Sequence, residues 1–304
     1  MYIVMVSPEC APVAHAGGLG DVVFGLSREL EIRGNAVDVI LPKYDCLRYD
    51  QIRGLTLSYR DLWVPWYNGT IHCSVWFGFV HGRKCFFIEP HSQDNFFARG
   101  AIYGSADDTM RFAFFCKAAL EFRLKANKRP EVIHCHGWTT GLVPVLLFEI
   151  YKFHGMPHQR VCYTIHNFGH QGIDGERVLW ATGLGRPEHY SHCDRLRDDL
   201  NPVALNFMKG GIGRFHVEGG SWTNNISWVR GYDALLGPME RVSSLFYEKV
   251  LKPGLPSSEH RYRNALFHLL VSQTSCYRYW GQGMWLDYGR EICRRAAEIL
   301  SHDF

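Results

Sequence analysis

Nothing in the 304 residues offers the run of ~18 or more apolar side chains that a membrane-spanning helix needs. The opening MYIVMVSPEC has neither the basic start nor the extended apolar core of a secretory signal. It reads instead as a buried first strand, and the chain is expected to touch no membrane. No run of Lys or Arg exists, and a formal net charge of +3 gives no electrostatic footprint for nucleic acid. The ten cysteines are scattered singly, without a CxxC pair, so no disulfide framework or zinc spacing can be read from them. They suit free thiols in a reducing cytoplasm. HExxH, internal repeats and low-complexity tracts are also absent. What is present is a composition of 46% hydrophobic and 21% charged residues, enough for one large domain or two ordinary ones. The 14% aromatic share suits sugar-lining surfaces and plain core packing alike.

Residues 1 to 213 alternate strand-like and helix-like segments. Tyr2 to Val6 is a short apolar run, Leu19 to Arg33 a helix stopped by Gly34, and Ala36 to Leu41 the next strand. This βαβ order predicts a Rossmann-like parallel sheet in an α/β fold. Ile71 to Ile88 reads as a hairpin around His81-Gly82-Arg83, Asp107 to Leu124 as a helix and Val132 to His134 as a buried strand. Trp138 to Tyr151 reads as a further helix and Val161 to Ile165 as a strand. Residues 214 to 304 form a second domain of different character. From Asp233 onward no strand pattern is visible, and three helical stripes follow. They are Leu235, Met239, Val242, Phe246 and Val250; then Tyr262, Leu266, Leu269 and Leu270; then Trp285, Tyr288, Ile292, Ala296 and Ile299. An all-α tail therefore follows an α/β head.

Two stretches could carry chemistry. In APVAHAGGLGDVV, Gly17, Gly18 and Gly20 stand between a strand and a helix. Such a turn lets a ligand come close to the backbone, and the first amides of the helix favour an anion; a turn that serves packing alone has the same pattern. In YTIHNFGHQG, His166 and Asn167 end a strand, and HCHGW ends another. In open α/β sheets the ligand crevice lies outside those carboxyl ends. The consecutive His134, Cys135 and His136 alternate across a strand, so they cannot all bind one ion. No metal is expected.

The segment SPECAPVAHAGGLGDVVFGLSREL resembles the N-terminal signature of bacterial glycogen synthases and plant starch synthases. The likeness continues through IEPHSQDNFFARGAIYG, DDTMRFAFFCKAALE, VIHCHGWTTGLVP, YTIHNFGHQG and LNPVALNFMKGGI, in order, over residues 1 to 212. The resemblance implies one half of a GT-B glycosyltransferase that adds glucose from ADP-glucose to an α-1,4-glucan with retention, using no cofactor. It implies that His166 lies against the transferred glucose and that His15, Gly17, Gly18, Leu19 and Gly20 meet the donor. Glu9, Asp21, Trp138, Asn167 and Gln171 are implied on the acceptor and sugar side, with Gly172 continuing the loop of Gln171.

This sequence departs from the family in three ways. His15 and Ala16 stand where the family has Lys-Thr, and a neutral imidazole gives up a fixed charge that a diphosphate prefers. Gly137 stands where an aspartate is common. After MKGGI the sequence runs into GRFHVEGGSWTNNISWVRGYD rather than into the family's second, donor-binding domain. The tail resembles instead the C-terminal helical region of family-57 glycoside hydrolases, with Glu218, Trp222, Trp280, Trp285 and Asp287 as candidates for a glucan groove or for packing. Two alternatives to synthase activity follow: a non-catalytic α-glucan-binding protein from a longer fused gene, and, on weaker grounds, an α-glucan hydrolase or branching enzyme. The expected partners are a nucleotide sugar, an α-glucan and a chain supplying the second domain.

Overall fold

The apolar run Tyr2–Val6 forms strand β1 and the loop after it leads into helix α1, Gly18–Ile32. Strand β2, Ala36–Pro42, then returns parallel to β1. The structure, a computed structural model, describes residues 1–167, 170–185, 196–198, 203–212, 233–273 and 284–304. It falls into two compact units, Met1–Val217 and Glu218–Phe304. The expected boundary at 213/214 lies outside the described residues.

The first unit continues with β3 (Ile52–Trp66), β4 (Gly69–Val80), β5 (Arg83–Pro90), α2 (Asp108–Lys125), β6 (Val132–His136), α3 (Leu142–Glu149) and β7 (Arg160–Thr164). The seven strands make one sheet in the order β3-β4-β5-β2-β1-β6-β7. From β5 to β7 the pairing is parallel, as the βαβ pattern implies. At the other edge the sheet is antiparallel, because two hairpins join β3, β4 and β5. The His81-Gly82 turn has positive φ at both residues, 46° and 86°, which matches the twist of the strands it connects. Strand β3 escaped the sequence reading. Over its first half the inward residues Leu55, Leu57 and Tyr59 alternate with exposed polar ones but are only half-buried, and its register against β4 shifts three times.

Trp138 to Tyr151 is not one helix. A 3-10 turn over Trp138–Thr140 precedes α3, and a second 3-10 turn over Tyr151–His154 follows it. Gly141 sits at the junction where a Cβ would lie 2.1 Å from the Phe207 carbonyl oxygen, so the backbone is packed there against a neighbouring segment. Helix α2 is buried on almost every side. Its charged side chains are therefore paired inside: Arg123 with Asp38 at 3.0 Å, Arg111 with Asp108, and Glu121 with the Tyr151 hydroxyl at 2.8 Å. Beyond β7 come β8 (Ile173–Asp174), α4 (Arg177–Thr182), β9 (Leu205–Asn206) and α5 (Phe207–Ile212). Strands β8 and β9 pair with each other.

In the second unit the described residues form α6 (Asp233–Phe246), extended by a π turn over Tyr247–Leu251, α7 (His260–Ser272) and α8 (Met284–His302). The first stripe is as expected, with Leu235, Met239, Val242, Phe246 and Val250 all buried. In the second, Tyr262, Leu266 and Leu269 pack partly buried against that core. The third holds at Ala296, which is buried, and is otherwise corrected. Tyr288 is 51% exposed, and the core face of α8 is Cys293, Ala296 and Leu300, flanked by Leu286 and Ala297. The small Cys293 and Ala296 on that face allow close helix packing; the expected stripe shares Ala296 with it and otherwise runs to one side.

Candidate active site at the strand ends

The loop leaving β1 is held by Glu9. One carboxylate oxygen accepts the amides of Ala16 (2.6 Å) and Gly17 (2.9 Å), and the other accepts the Tyr103 hydroxyl (2.5 Å). Glu9 is 3% exposed, and burial beside it pushes the Tyr103 phenol well up from its ordinary range. Helix α1 then starts at Gly18. The Gly20 amide bonds back to the Gly17 carbonyl at 3.1 Å, and the Ala11 amide bonds the Gly20 carbonyl at 3.0 Å. With Ala16 and Gly17 bound to Glu9, the amides of Gly18 and Leu19 remain as donors at this helix end.

The glycines of this turn have different reasons. A Cβ on Gly20 would lie 3.1 Å from the His15 ring and 3.2 Å from backbone atoms of Ala11 and Ala14, so Gly20 serves packing. A Cβ on Gly17 would meet nothing within 4 Å, and its φ of −160° is one that any residue adopts. The fold of this chain gives no reason for glycine at 17. His15, 44% exposed along its side chain, binds Asp21 through Nε2 at 3.0 Å. The position of the expected lysine thus holds an imidazole already facing a carboxylate.

At the ends of β6 and β7 three histidines meet. The rings of His134 and His136 stack at 4.1 Å, and His136 Nδ1 lies 3.1 Å from His166 Nε2. His134 Nε2 contacts the Thr164 hydroxyl at 2.7 Å. Desolvation lowers all three: His134 to about 4, His166 to about 3, and His136 well below the usual imidazole range with help from both neighbours. The group is neutral at physiological pH. His136 is fully buried, and its Nε2 has no hydrogen-bond partner.

Gly137 joins the two halves of the site. Its φ of 73° and ψ of 173° form a conformation that essentially only glycine takes, and a Cβ would lie 3.1 Å from the Leu19 side chain. An aspartate here would strain the backbone and press on α1. The contact also places the glycine turn and the histidine group at one edge of the sheet.

Trp138 packs between Phe112 and Phe207, with ring centroids 5.7 and 6.1 Å away. Gly172, with φ of 67°, lies close enough that a Cβ would stand 2.2 Å from that indole. Gln171 is tied to the same wall: its side-chain carbonyl accepts the Asn206 amide at 2.6 Å, and its backbone carbonyl accepts Met208 N–H at 3.1 Å. Asn167 is exposed at the rim. Of the tail residues considered for a glucan groove, Asp287 is exposed on α8, whereas Glu218, Trp222, Trp280 and the Trp285 side chain lie outside the described residues.

A cleft of about 560 Å³ opens beside the Glu9 loop, lined by His15 and Ala16, by Cys46 and Arg48 from the loop after β2, and by Ala101 and Tyr103. The sequence reading singled out none of the last four. Tyr103 lies within the quoted IEPHSQDNFFARGAIYG, but only its hydrogen bond to Glu9 distinguishes it from a core tyrosine. Among the described residues, no group of three or more His, Cys, Asp or Glu is arranged to hold a metal ion, and no helix is long and apolar enough to cross a membrane.

Comparison with known proteins gives these features a context. Residues 2–215 match the family model of the starch synthase catalytic domain. Over 212 residues the chain is 73% identical to glycogen synthase 1 of Synechococcus sp. (strain JA-3-3Ab), covering 70% of this chain and 43% of that protein. It is 40% identical to probable starch synthase 4, chloroplastic/amyloplastic, of Arabidopsis thaliana over 213 residues, or 70% of this chain and 20% of that one. Among solved structures, the catalytic domain of starch synthase IV from Arabidopsis thaliana bound to ADP and acarbose superposes with a TM-score of 0.66 at 30% identity, covering 90% of this chain and 67% of that chain. The chain spans less than half the length of the cyanobacterial glycogen synthases it matches. With 2–215 accounted for in this way, the chain belongs to the family of the starch synthase catalytic domain.

Proposed function

We propose that residues 1–212 act as the acceptor-side half of a retaining glucosyltransferase that moves glucose from ADP-glucose to an α-1,4-glucan. The observation that carries this is the meeting, through Leu19 and Gly137, of the open Gly17–Gly18 turn with the His136–His166 pair. The amides of Gly18 and Leu19, at the positive end of α1, suit a diphosphate. Gly17 leaves room for it to approach. His166, held by His136 and kept neutral by burial, offers a hydrogen bond to a glucose hydroxyl without placing a charge beside the sugar. His15 takes the donor-side place of the lysine. Glu9 acts through the loop it holds, and Tyr103 sets that carboxylate. Asp21, Trp138, Asn167 and Gln171 shape the sugar side, Trp138 by packing and Gln171 by fixing the loop.

No cofactor is assigned beyond the nucleotide sugar. None of the eight described cysteines is in a disulfide, which supports a cytoplasmic location. A partner chain or further segment is proposed to supply the cationic wall that faces the leaving diphosphate in the resembled enzymes. Each preorganised group missing from a developing charge costs roughly a hundred- to thousandfold in rate. The 304-residue chain alone is therefore expected to incorporate labelled glucose from ADP-glucose into glycogen at near-background rates, while still binding ADP-glucose in calorimetry. Gly17→Val, which the fold tolerates, should weaken that binding about tenfold or more. An absence of donor binding would overturn the assignment, and robust turnover abolished by His166→Ala would show that this half suffices. A binding-only role has one observation in its favour: the family match ends at residue 215.

A further inference from the structure

His134 and His136 lie two residues apart on β6, so they share one face of the strand, and their rings stack at 4.1 Å. His134 Nε2 meets the Thr164 hydroxyl at 2.7 Å, which pins the stack to β7. The His136 ring is thereby held with Nδ1 towards His166 Nε2, 3.1 Å away. Its other nitrogen, Nε2, is buried without a hydrogen-bond partner. Two facing nitrogens in neutral rings must divide their roles, one N–H donating and one lone pair accepting. If His166 donated through Nε2, His136 would carry its own proton on Nε2, inside the protein with no acceptor. A buried N–H without an acceptor is rare and costly, whereas a bare lone pair strands no proton. A charged His136 would strand the same N–H and a charge besides, and burial beside two other rings holds that imidazole well below its usual range. One arrangement remains.

We infer that His136 is a positioning residue: it donates its Nδ1 proton to His166 Nε2 and so fixes His166 as the Nδ1–H tautomer. The Nε2 lone pair of His166 is then engaged, and the one proton its ring has to give sits on Nδ1. Under the proposed function, on which this consequence rests, His166 meets the glucose as a hydrogen-bond donor and selects a sugar oxygen as the acceptor. His136 is fully buried and acts only through His166. Without it either nitrogen of His166 could hold the proton, and part of the population would present a bare lone pair on Nδ1.

The test is NMR of the 304-residue chain carrying nitrogen-15 in its histidine rings, with the His166 signals assigned by their loss in His166→Gln. Nε2 of His166 should be unprotonated and Nδ1 protonated, with a coupling across the hydrogen bond to His136 Nδ1. His136→Asn, whose side-chain amide keeps a donor near the Nδ1 position, should preserve that tautomer. His136→Leu should release it and move proton density to Nε2. The same variant should bind ADP-glucose about three- to tenfold more weakly in calorimetry, the worth of one neutral hydrogen bond, and His136→Asn should restore most of that loss. A proton on His166 Nε2 in the wild-type chain overturns the inference, whatever either variant does. So does a His136→Leu chain that keeps the wild-type tautomer. If the wild-type chain bound no ADP-glucose, the proposed function would fall, while an unprotonated Nε2 coupled to His136 would still uphold this inference.

Discussion

Two groups of ion pairs, one in each unit, lie in opposite settings. In the first, Arg123 and Asp38 meet inside the protein at 3.0 Å, and the Tyr2 hydroxyl bonds the same carboxylate at 2.6 Å. In the second, Glu291 on α8 pairs with Arg294 and Arg295, each 2.7 Å away and each open to water. The first pair joins β1, β2 and α2, residues 121 and 85 positions apart in sequence. The second lies within one turn of a single helix. Buried pairing across distant segments ties the starts of β1 and β2 to the end of α2, at the opposite ends of those strands from the proposed site. Pairing along one helix fixes nothing beyond that helix.

Removing a buried partner should have the largest effect. Asp38→Ala leaves the Arg123 guanidinium unpaired in the core, where Nε and one terminal nitrogen already lack partners. Breaking such a pair costs about 3–5 kcal/mol. Urea unfolding of the variant should show that loss in the transition of the first unit. A midpoint within error of wild type would mean that Arg123 is held by its stacking on Phe86 and Phe122 instead.

Acid should separate the two units next. A histidine whose folded pKa lies below its unfolded value near 6.5 contributes stability above pH 6.5 and loses it as pH falls towards the folded value. For His134, lowered to about 4, the slope is about 1.4 kcal/mol per pH unit and the total about 3 kcal/mol. His136 and His166 are lowered as well, so the first unit should weaken steeply from pH 6.5 downward. Urea midpoints measured from pH 7.5 to 4.5 check this, and His134→Gln should make the limb shallower. A flat limb would mean that the histidines relax apart on protonation.

How much of this was legible follows the same division. The parallel core of the sheet was readable because β1, β2 and β6 are short apolar runs separated by turn signals. The first stripe of the tail was readable because its spacing repeats in one helix. Strand β3 was passed over although Leu55, Leu57 and Tyr59 alternate with polar residues, and its three register shifts against β4 depend on pairing that the sequence does not record. The core face of α8 was read only in part: Ala296 was placed on it, but Cys293 and Leu300 were passed over and the exposed Tyr288 was included. At the site, His166 and the glycine turn stood out as motifs. The separate reasons for Gly17 and Gly20, the capture of two loop amides by Glu9 and the cleft residues Cys46, Arg48 and Tyr103 depend on contacts across the sheet. No local pattern in the sequence records those.

The smallest effect is expected at Glu291. Hydrogen bonds from Arg294 and Arg295 lower its carboxyl to about 2. With the folded value below the unfolded one near 4.5, any stability from these bonds is present above pH 4.5 and is lost only as pH falls towards 2. At neutral pH both guanidinium groups are hydrated whether or not the carboxylate is there, and holding three long side chains together opposes the attraction. Arg294 keeps Glu298 as a second partner four residues on, so losing Glu291 leaves it paired. Glu291→Gln should therefore leave the urea midpoint unchanged at pH 7 and remain insensitive to added salt. It should also leave the acid limb between pH 6.5 and 4.5 as in wild type, because that limb belongs to the histidines of the other unit. A clear loss of stability at pH 7 that disappears in high salt would show these exposed pairs acting as a network. The contrast between buried and exposed charge in the two units would then fail.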